Sequence, residues 1–538
     1  MVETTKIQIT GSNYRRGWVN PPAVVWIPAT LAAIGMVLPL VYLVLRTIGI
    51  GSEVVELLFR SRTLEIMLRS LLLTFAVSSV AVLIAVPIAW LTVRTDLPLR
   101  RLFLVITVLP LVIPSYVGGF VVVAVLGPKG LVQGWVAPFG VDRLPEIFGF
   151  PGALLTLSLL TYPYVLLPVR AALSRLDPAL EETSYSLGKG RLYTAIHVTF
   201  PMLRPSIVGG ALLVSLYTLS DFGAVSLLHY ETFTWAIYVQ YGNFARDMAA
   251  ALSLVLVAFA VGLVIIESKT RSRSQYFRGG TGVARTPMLI KLGALRWPAL
   301  IICFTVILLA LVMPLSVLIY WVIRGMYYGE QISLLWGQLA NSIYVSGLAA
   351  LITVVTALPI TILSVRYPGH LSSLLERFSY VGFALPGIVV ALALVFFGIR
   401  YITPLYQTMF LLIFAYIVLF LPTAIATTRA SLIQVSPALE EAARSLGRSH
   451  FRVLTSITFP LLRPGMLAGI IMVFMLTMKE LPATLILSPI GFKTLATSVW
   501  WATEDGFFTQ AAVPALGLIL VSIFPMAFLI LFEKRFQD

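Results

Sequence analysis

Twelve continuous apolar runs of about 20 residues limit what this chain can fold into. A run of that length crosses the hydrocarbon core of a bilayer as an α-helix, whereas a membrane β-strand would alternate polar and apolar positions. Only 11% of the residues are charged, against roughly 25% in soluble domains. The sequence therefore predicts an all-α integral membrane protein. The predicted spans are 23–45, 69–93, 102–126, 152–173, 205–228, 248–267, 297–323, 339–365, 378–399, 404–428, 464–488 and 510–532.

A charged stretch interrupts the apolar runs twice, at 178–210 and 437–469. The two copies are identical at 15 of 33 positions, without a gap, at an offset of 259 residues. Six spans per copy is an even number, so the halves share one orientation and form a parallel repeat. Further matches at an offset of 272 residues are Ser70, Pro87, Arg94 and Pro114 with Ser342, Pro359, Arg366 and Pro386.

The repeat predicts a division of the chain into a first half at 1–267, a polar linker at 268–296 and a second half at 297–538. The first half carries 13 extra residues, which we place in an external loop at 127–151. If both termini are cytoplasmic, 27 of the 38 Lys and Arg residues are on the cytoplasmic side, counting Arg170 near the end of its span, as the positive-inside rule favours. Basic residues beside the spans indicate topology and do not predict binding to nucleic acid.

Each charged stretch predicts a short capped helix, a turn and a second short helix. Asp177 and Ser436 are candidate N-caps, and a proline follows each at the first helical position. A pair of glutamates lies near the positive end of each helix dipole. Gly188 and Gly447 stand where a left-handed residue would end the helix. We expect Pro201 and Pro460 to end the run that follows.

These stretches resemble the EAA loops of ABC-transporter permeases, in which Glu-Ala-Ala precedes a glycine and then a proline. The second loop, 436–464, matches fully, whereas the first, 177–205, has Thr183 and Ser184 in place of the two alanines. The resemblance implies that each loop docks on an ATP-binding subunit, in two copies. The coupling residues that it implies are Glu181, Glu182, Gly188, Pro201, Glu440, Glu441, Ala442, Ala443, Gly447 and Pro460.

A narrower resemblance covers nearly the whole chain. The segments 219–228, 478–484 and 491–497 are similar to fused permeases of ferric-iron importers. This implies the MetI-like fold of ABC-importer permeases, an inner-membrane location, an external or periplasmic binding protein and a separate ATPase that holds ATP and Mg. It implies no cofactor on this chain. Similar fused permeases serve thiamine and some phosphonate compounds, so these substrates remain alternatives.

Other classes of function fit the sequence less well. The segment 187–191 lacks the spacing and the hydroxyl of a phosphate-binding loop, so ATP hydrolysis is expected on a partner. An ion-coupled secondary transporter should show inverted repeats and several buried acids in each half. A membrane enzyme should show a catalytic cluster, and none is evident. The four scattered histidines and the single Cys303 predict no metal site.

Asp221 and Glu480 occupy the same point of the two halves, 16 residues after the proline that opens each span. That distance is about 24 Å along a helix, and an ionisable group at such depth usually faces a cavity or a partner. Gly223 and Pro482 predict a break in each helix. Two interpretations stay open: both acids line the translocation path for a cationic substrate, or Lys479 and hydroxyls such as Ser220 neutralise them as structural contacts.

Overall fold

The computed structural model of the chain describes residues 21–49, 56, 59–272, 289–330 and 335–535. Every regular element in these ranges is helical. Eleven helical stretches among them are long and apolar enough to cross a membrane, and one further apolar helix has 15 residues. The prediction of an all-α protein with about twelve spans is confirmed.

We number the apolar helices in chain order. They are α1 Ala23–Gly49, α2 Ser61–Arg94, α3 Ser115–Leu126, α4 Phe150–Arg175, α5 Phe200–Ser220, α6 Arg246–Ser272, α7 Gly293–Tyr327, α8 Trp336–Arg366, α9 Gly387–Tyr401, α10 Met409–Gln434, α11 Phe459–Met478 and α12 Phe508–Arg535. Most of the predicted linker 268–296 lies outside the described residues.

The third helix of each half begins later than predicted. The predicted starts at 102 and 378 fall in separate short helices, Arg100–Ile106 and His370–Ser379. Pro114 and Pro386 precede α3 and α9 in extended conformation, and a new helix starts after each because proline cannot continue a helix from the preceding turn. With 15 residues, α9 is roughly 22 Å long and shorter than the hydrocarbon core. Helix α3 has 12 residues, and the short helices Leu131–Val136 and Ala137–Phe139 extend its stretch to 25 residues.

Helices α5 and α11 break at the same point of the two halves. They end at Ser220 and Met478, and the short helices Gly223–Leu227 and Pro482–Leu487 follow. The breaks predicted from Gly223 and Pro482 are therefore present, and the spans predicted as continuous over 205–228 and 464–488 are each divided. Unpaired backbone groups are tolerated within a membrane only where protein or a cavity surrounds them.

Packing repeats between the halves, but each half also receives a helix from the other. Helices α2, α4 and α5 pack together, as do α8, α10 and α11. Helix α1 packs against α8, α9 and the short helix His370–Ser379 of the second half as well as against α6, whereas α7 packs mainly against α12 and also contacts α2 and α3. The two halves therefore interlock, and one apolar core includes residues of both.

A pair of equivalent hydrogen bonds shows the repeat at the level of side chains. The Ser70 hydroxyl accepts from the backbone N–H of Phe233 at 3.1 Å, and the Ser342 hydroxyl accepts from that of Leu495 at 2.8 Å. Phe233 and Leu495 begin the helices Phe233–Gly242 and Leu495–Glu504, which follow the breaks. Ser70 and Ser342, which match at an offset of 272 residues, therefore hold the start of the equivalent helix in each half.

Candidate functional site

Two short helices lie at the same end of the two bundles and carry the residues predicted for coupling. The first surface helix is Pro178–Ser186 and the second is Pro437–Ser445. Gly188 and Gly447 follow them with φ of +76° and +82°, a conformation that glycine adopts without strain. The predicted left-handed helix ends are confirmed.

The N-termini of the surface helices differ. Asp177 caps the first, since its carboxylate accepts from the Ala179 N–H at 3.0 Å. The predicted cap at Ser436 is wrong, because its side chain makes no capping hydrogen bond. The Ser436 carbonyl instead accepts from the N–H of Leu439 at 3.2 Å and closes the turn through the backbone.

In each surface helix, one of the two neighbouring glutamates is exposed and the other is largely covered by the rest of the protein. Glu182 and Glu441 are exposed, whereas the Glu181 and Glu440 side chains are only 14% and 5% exposed. Ala443 is buried and Ala442 is exposed beside Glu441. The exposed side also carries large apolar residues in equivalent places: Leu180 and Leu187 in the first copy, Leu439 and Leu446 in the second.

The exposed apolar residues make these helices suitable for docking. Leu187 and Leu446 are 73% and 84% exposed although leucine is among the most often buried residues. Apolar residues around a central charge are typical of a surface that another protein covers. Each half therefore presents one such surface, with the same residues in the same arrangement.

Pro201 and Pro460 do not end the run that follows the surface helices, contrary to the prediction. One π-helical turn precedes each proline, at Ala195–Thr199 and Leu454–Thr458, and α5 or α11 continues from it. The N–H of the residue before each proline bonds the carbonyl five residues back. This wider turn accommodates the proline ring, which would clash with the carbonyl four residues back in a regular helix.

Asp221 is buried at the break after α5 and caps the short helix that follows. Its carboxylate accepts from the N–H groups of Ala224 and Val225 at 3.0 and 3.4 Å, and from the Ser115 hydroxyl. Glu480 lies at the equivalent break, where its carboxylate accepts from the Ala483 N–H at 3.2 Å. Each acid thus satisfies backbone donors that the break leaves free.

Lys479 does not neutralise either acid. Its ammonium group donates to the backbone carbonyl of Leu111 at 2.7 Å, across the interface between the halves. Within the described part of the chain, no ion pair joins a basic residue to Asp221 or Glu480. The hydroxyl that bonds Asp221 is that of Ser115 and not the predicted Ser220. The interpretation that Lys479 and Ser220 neutralise the two acids is therefore wrong.

Tyrosines surround the two breaks. Tyr217 interacts electrostatically with Asp221, and Tyr116 lies close enough to Glu480 to interact with its charge. The buried Tyr116 hydroxyl has no hydrogen-bond partner among the described residues. The Tyr217 and Glu480 side chains are each partly accessible beside one of the two breaks.

Two arginines match between the halves of the sequence, which assigned them no function, yet both contact the surface helices. Arg94 and Arg366 end α2 and α8, and their guanidinium groups pair with Glu181 and Glu440 at 3.2 and 3.1 Å. The sequence did contain a signal for this contact, because a basic residue stands at the same position in both copies of an otherwise apolar repeat. Among the described residues, no group of three His, Cys, Asp or Glu side chains is placed to hold a metal ion.

Two interlocked bundles, each with a surface helix at one end and a polar break within an apolar span, are the architecture of a multi-pass transport permease. The family model of the binding-protein-dependent transport system inner membrane component matches the chain twice, at 81–269 and 354–538. The chain belongs to this family and is the permease of an ABC importer, built as a fused tandem repeat.

Relatives match over different lengths. The Fe(3+)-transport system permease protein FbpB 2 of Haemophilus influenzae is 38% identical, over 93% of this chain and 97% of its own length. The ferric transport system permease protein FbpB of Actinobacillus pleuropneumoniae is 26% identical, over 89% of this chain and 72% of its own. The molybdenum transport system permease protein ModB of Escherichia coli K12 is 32% identical, over 37% of this chain and 91% of its own.

Proposed function

We propose that this permease imports ferric iron, delivered by an external binding protein and driven by a separate ATPase that docks in two copies. The observation that carries the ATPase part is the pair of equivalent exposed surfaces on the first and second surface helices. The ferric substrate is supported by the names of the two relatives that match most of the chain. Thiamine and phosphonate compounds are the alternative substrates.

The surface helices would lie in the cytoplasm, together with both termini of the chain. The excess of Lys and Arg on that side supports this orientation. Exposed Glu182 and Glu441 would then meet the ATPase directly. Gly188 and Gly447 would hold the helix ends, and Pro201 and Pro460 would set the start of α5 and α11. Closure of the ATPase dimer would move both surface helices and shift the bundles between inward- and outward-facing states.

The energy for this shift must come from the ATPase. Converting a 99:1 preference into 1:99 requires roughly 5.5 kcal/mol of differential binding between the two states. If the two equivalent docking surfaces contribute equally, each supplies about half of this differential binding energy. Because α1 and α7 interlock the halves, both surfaces must move together for the path to open.

An experiment with the reconstituted complex tests this function. The permease would be co-expressed with candidate ATPase and binding-protein subunits from the same organism, and ATP hydrolysis would be measured in proteoliposomes. Binding protein loaded with ferric iron should stimulate hydrolysis and drive iron uptake, whereas thiamine and a phosphonate should not. Co-purification of no ATPase would refute the importer assembly; stimulation by thiamine or the phosphonate alone would refute only the substrate.

We further propose that Asp221 and Glu480 line the translocation path. Both lie at helix breaks within apolar spans, where Glu480 and the Tyr217 side chain near Asp221 are partly accessible. Carboxylate and phenol oxygens are hard donors, which suit a small, highly charged cation. The Tyr116 hydroxyl, which has no hydrogen-bond partner among the described residues, adds a further oxygen near Glu480.

The substitutions Asp221→Asn and Glu480→Gln test this path. Each amide keeps an oxygen that can accept from the backbone N–H groups, so the breaks should stay formed. Loss of one charge-assisted contact is worth ~1.5–3 kcal/mol, so iron uptake should fall about tenfold or more. Binding-protein-stimulated ATP hydrolysis should stay unchanged. Uptake at the unmutated rate in the double variant, at equal abundance in the membrane, would make both residues structural.

A further inference from the structure

Each surface helix is fastened to the membrane bundle by a buried ion pair. Arg94 Nη1 lies 3.2 Å from Glu181 Oε2, and Arg366 Nε lies 3.1 Å from Glu440 Oε1. The arginine side chains are 2% and 8% exposed. Water therefore screens neither pair well, and a buried charge without its partner is strongly unfavourable.

The same glutamates also hold the next helix. The Thr199 hydroxyl donates to Glu181 at 2.8 Å, and the Thr458 hydroxyl donates to Glu440 at 3.1 Å. Both threonines end the π-helical turns that lead into α5 and α11. One carboxylate thus joins three elements: the end of α2 or α8, the surface helix, and the start of α5 or α11.

The two connections are equivalent but not identical. Arg366 also donates from Nη2 to the Val435 carbonyl at 2.9 Å, just before the second surface helix. The Nε and Nη2 atoms of Arg94 have no hydrogen-bond partner among the described residues. The second connection is therefore the more completely satisfied one.

At their other ends, α2 and α8 reach the elements that follow the breaks. Ser70 and Ser342, which hold Phe233 and Leu495, lie 24 residues before the two arginines, or about 36 Å along the helix. In the first half, the Thr234 hydroxyl donates to the Asp221 carbonyl at 2.5 Å. In the first half, a continuous helix thus joins the surface helix to the polar break, and in the second half α8 reaches the equivalent helix after the break.

We propose that Glu181 and Glu440 are positioning residues and not docking residues. They fasten the surface helices to α2 and α8, so that movement of a docked partner reaches the polar breaks across the membrane. The exposed Glu182 and Glu441 contact the partner instead. This inference rests on the proposed function, because it requires that an ATPase drive the surface helices.

The test compares the double variant Glu181→Gln/Glu440→Gln with the matched control Glu182→Gln/Glu441→Gln in the complete complex. ATPase retained on the purified permease measures docking, and iron transported per ATP hydrolysed measures coupling. The inner variant should retain the ATPase as the unmutated complex does and lose about tenfold in coupling, within the usual range of energetic coupling between sites. The outer variant should lose ATPase at equal permease abundance.

Two results would overturn the inference: unchanged coupling in the inner variant, or loss of ATPase equal to that of the outer variant. If the inner variant inserts poorly, Thr199→Val/Thr458→Val decides, because it removes one hydrogen bond from each glutamate with little change in shape. Its coupling should fall and its docking should not; unchanged coupling there would also refute the inference. Failure of the unmutated permease to bind any ATPase would instead refute the proposed function.

Discussion

Gly447 offers a test of the docking surface in which the magnitude follows from the geometry. Its φ is +82°, and a Cβ built on it would meet no atom within 4 Å. The cost of a side chain therefore comes from the backbone alone. The left-handed conformation costs an L-residue roughly 1–2 kcal/mol. A β-branched residue is less tolerant still of positive φ.

We expect Gly447→Ala to weaken binding of the ATPase about five- to thirtyfold, if docking requires the native end of the second surface helix. Gly447→Val should weaken it further. Gly447→Asn is the matched control, because asparagine adopts the left-handed conformation most readily among the other residues. Because the residue is exposed and its surroundings are open, the helix end of each variant can relax while no ATPase is bound, so all three should insert and unfold as the unmutated permease does.

The assay is a titration of purified permease in nanodiscs with a labelled ATPase subunit. Affinity should fall in the order Gly, Asn, Ala, Val. Equal affinity of the Ala, Val and Asn variants would show that the backbone at this position does not matter to docking. A lower unfolding temperature for the Val variant without the ATPase would place the effect in the permease fold instead.

Two other features give separate predictions. In the loop 127–151, Trp135 and Phe139 are 70% and 86% exposed; replacing 131–139 with a Gly-Ser linker should weaken stimulation by the binding protein and leave basal ATP hydrolysis intact, whereas unchanged stimulation would make the loop a spacer. A Cβ on Gly465 would lie 2.4 Å from Ser431 Cβ, so Gly465→Ala should destabilise the α10–α11 contact by about 1–3 kcal/mol. Gly209→Ala, in open space on α5, is its control, and equal unfolding temperatures of the two variants would contradict this.

Local features of the sequence determined most of the helices and their ends. Continuous apolar runs predict membrane helices because the bilayer leaves a single chain segment few other ways to pair its backbone. Glycine at 188 and 447 predicts a left-handed end for a similarly local reason, and both are present. The breaks near Asp221 and Glu480 followed from Gly223 and Pro482. The parallel repeat followed from the two offsets alone.

Relations between distant segments were decided only by the tertiary structure. Glu181 and Glu182 are indistinguishable by residue type, yet Glu182 is exposed whereas Glu181 is largely covered and pairs with Arg94 at the end of α2. Lys479 stands next to Glu480 in sequence but bonds Leu111 of the other half. The role of a charge depends on which groups surround it after packing, and no local pattern encodes those neighbours. The contacts that α1 and α7 make with the other half have the same origin, since an apolar helix can pack against either bundle.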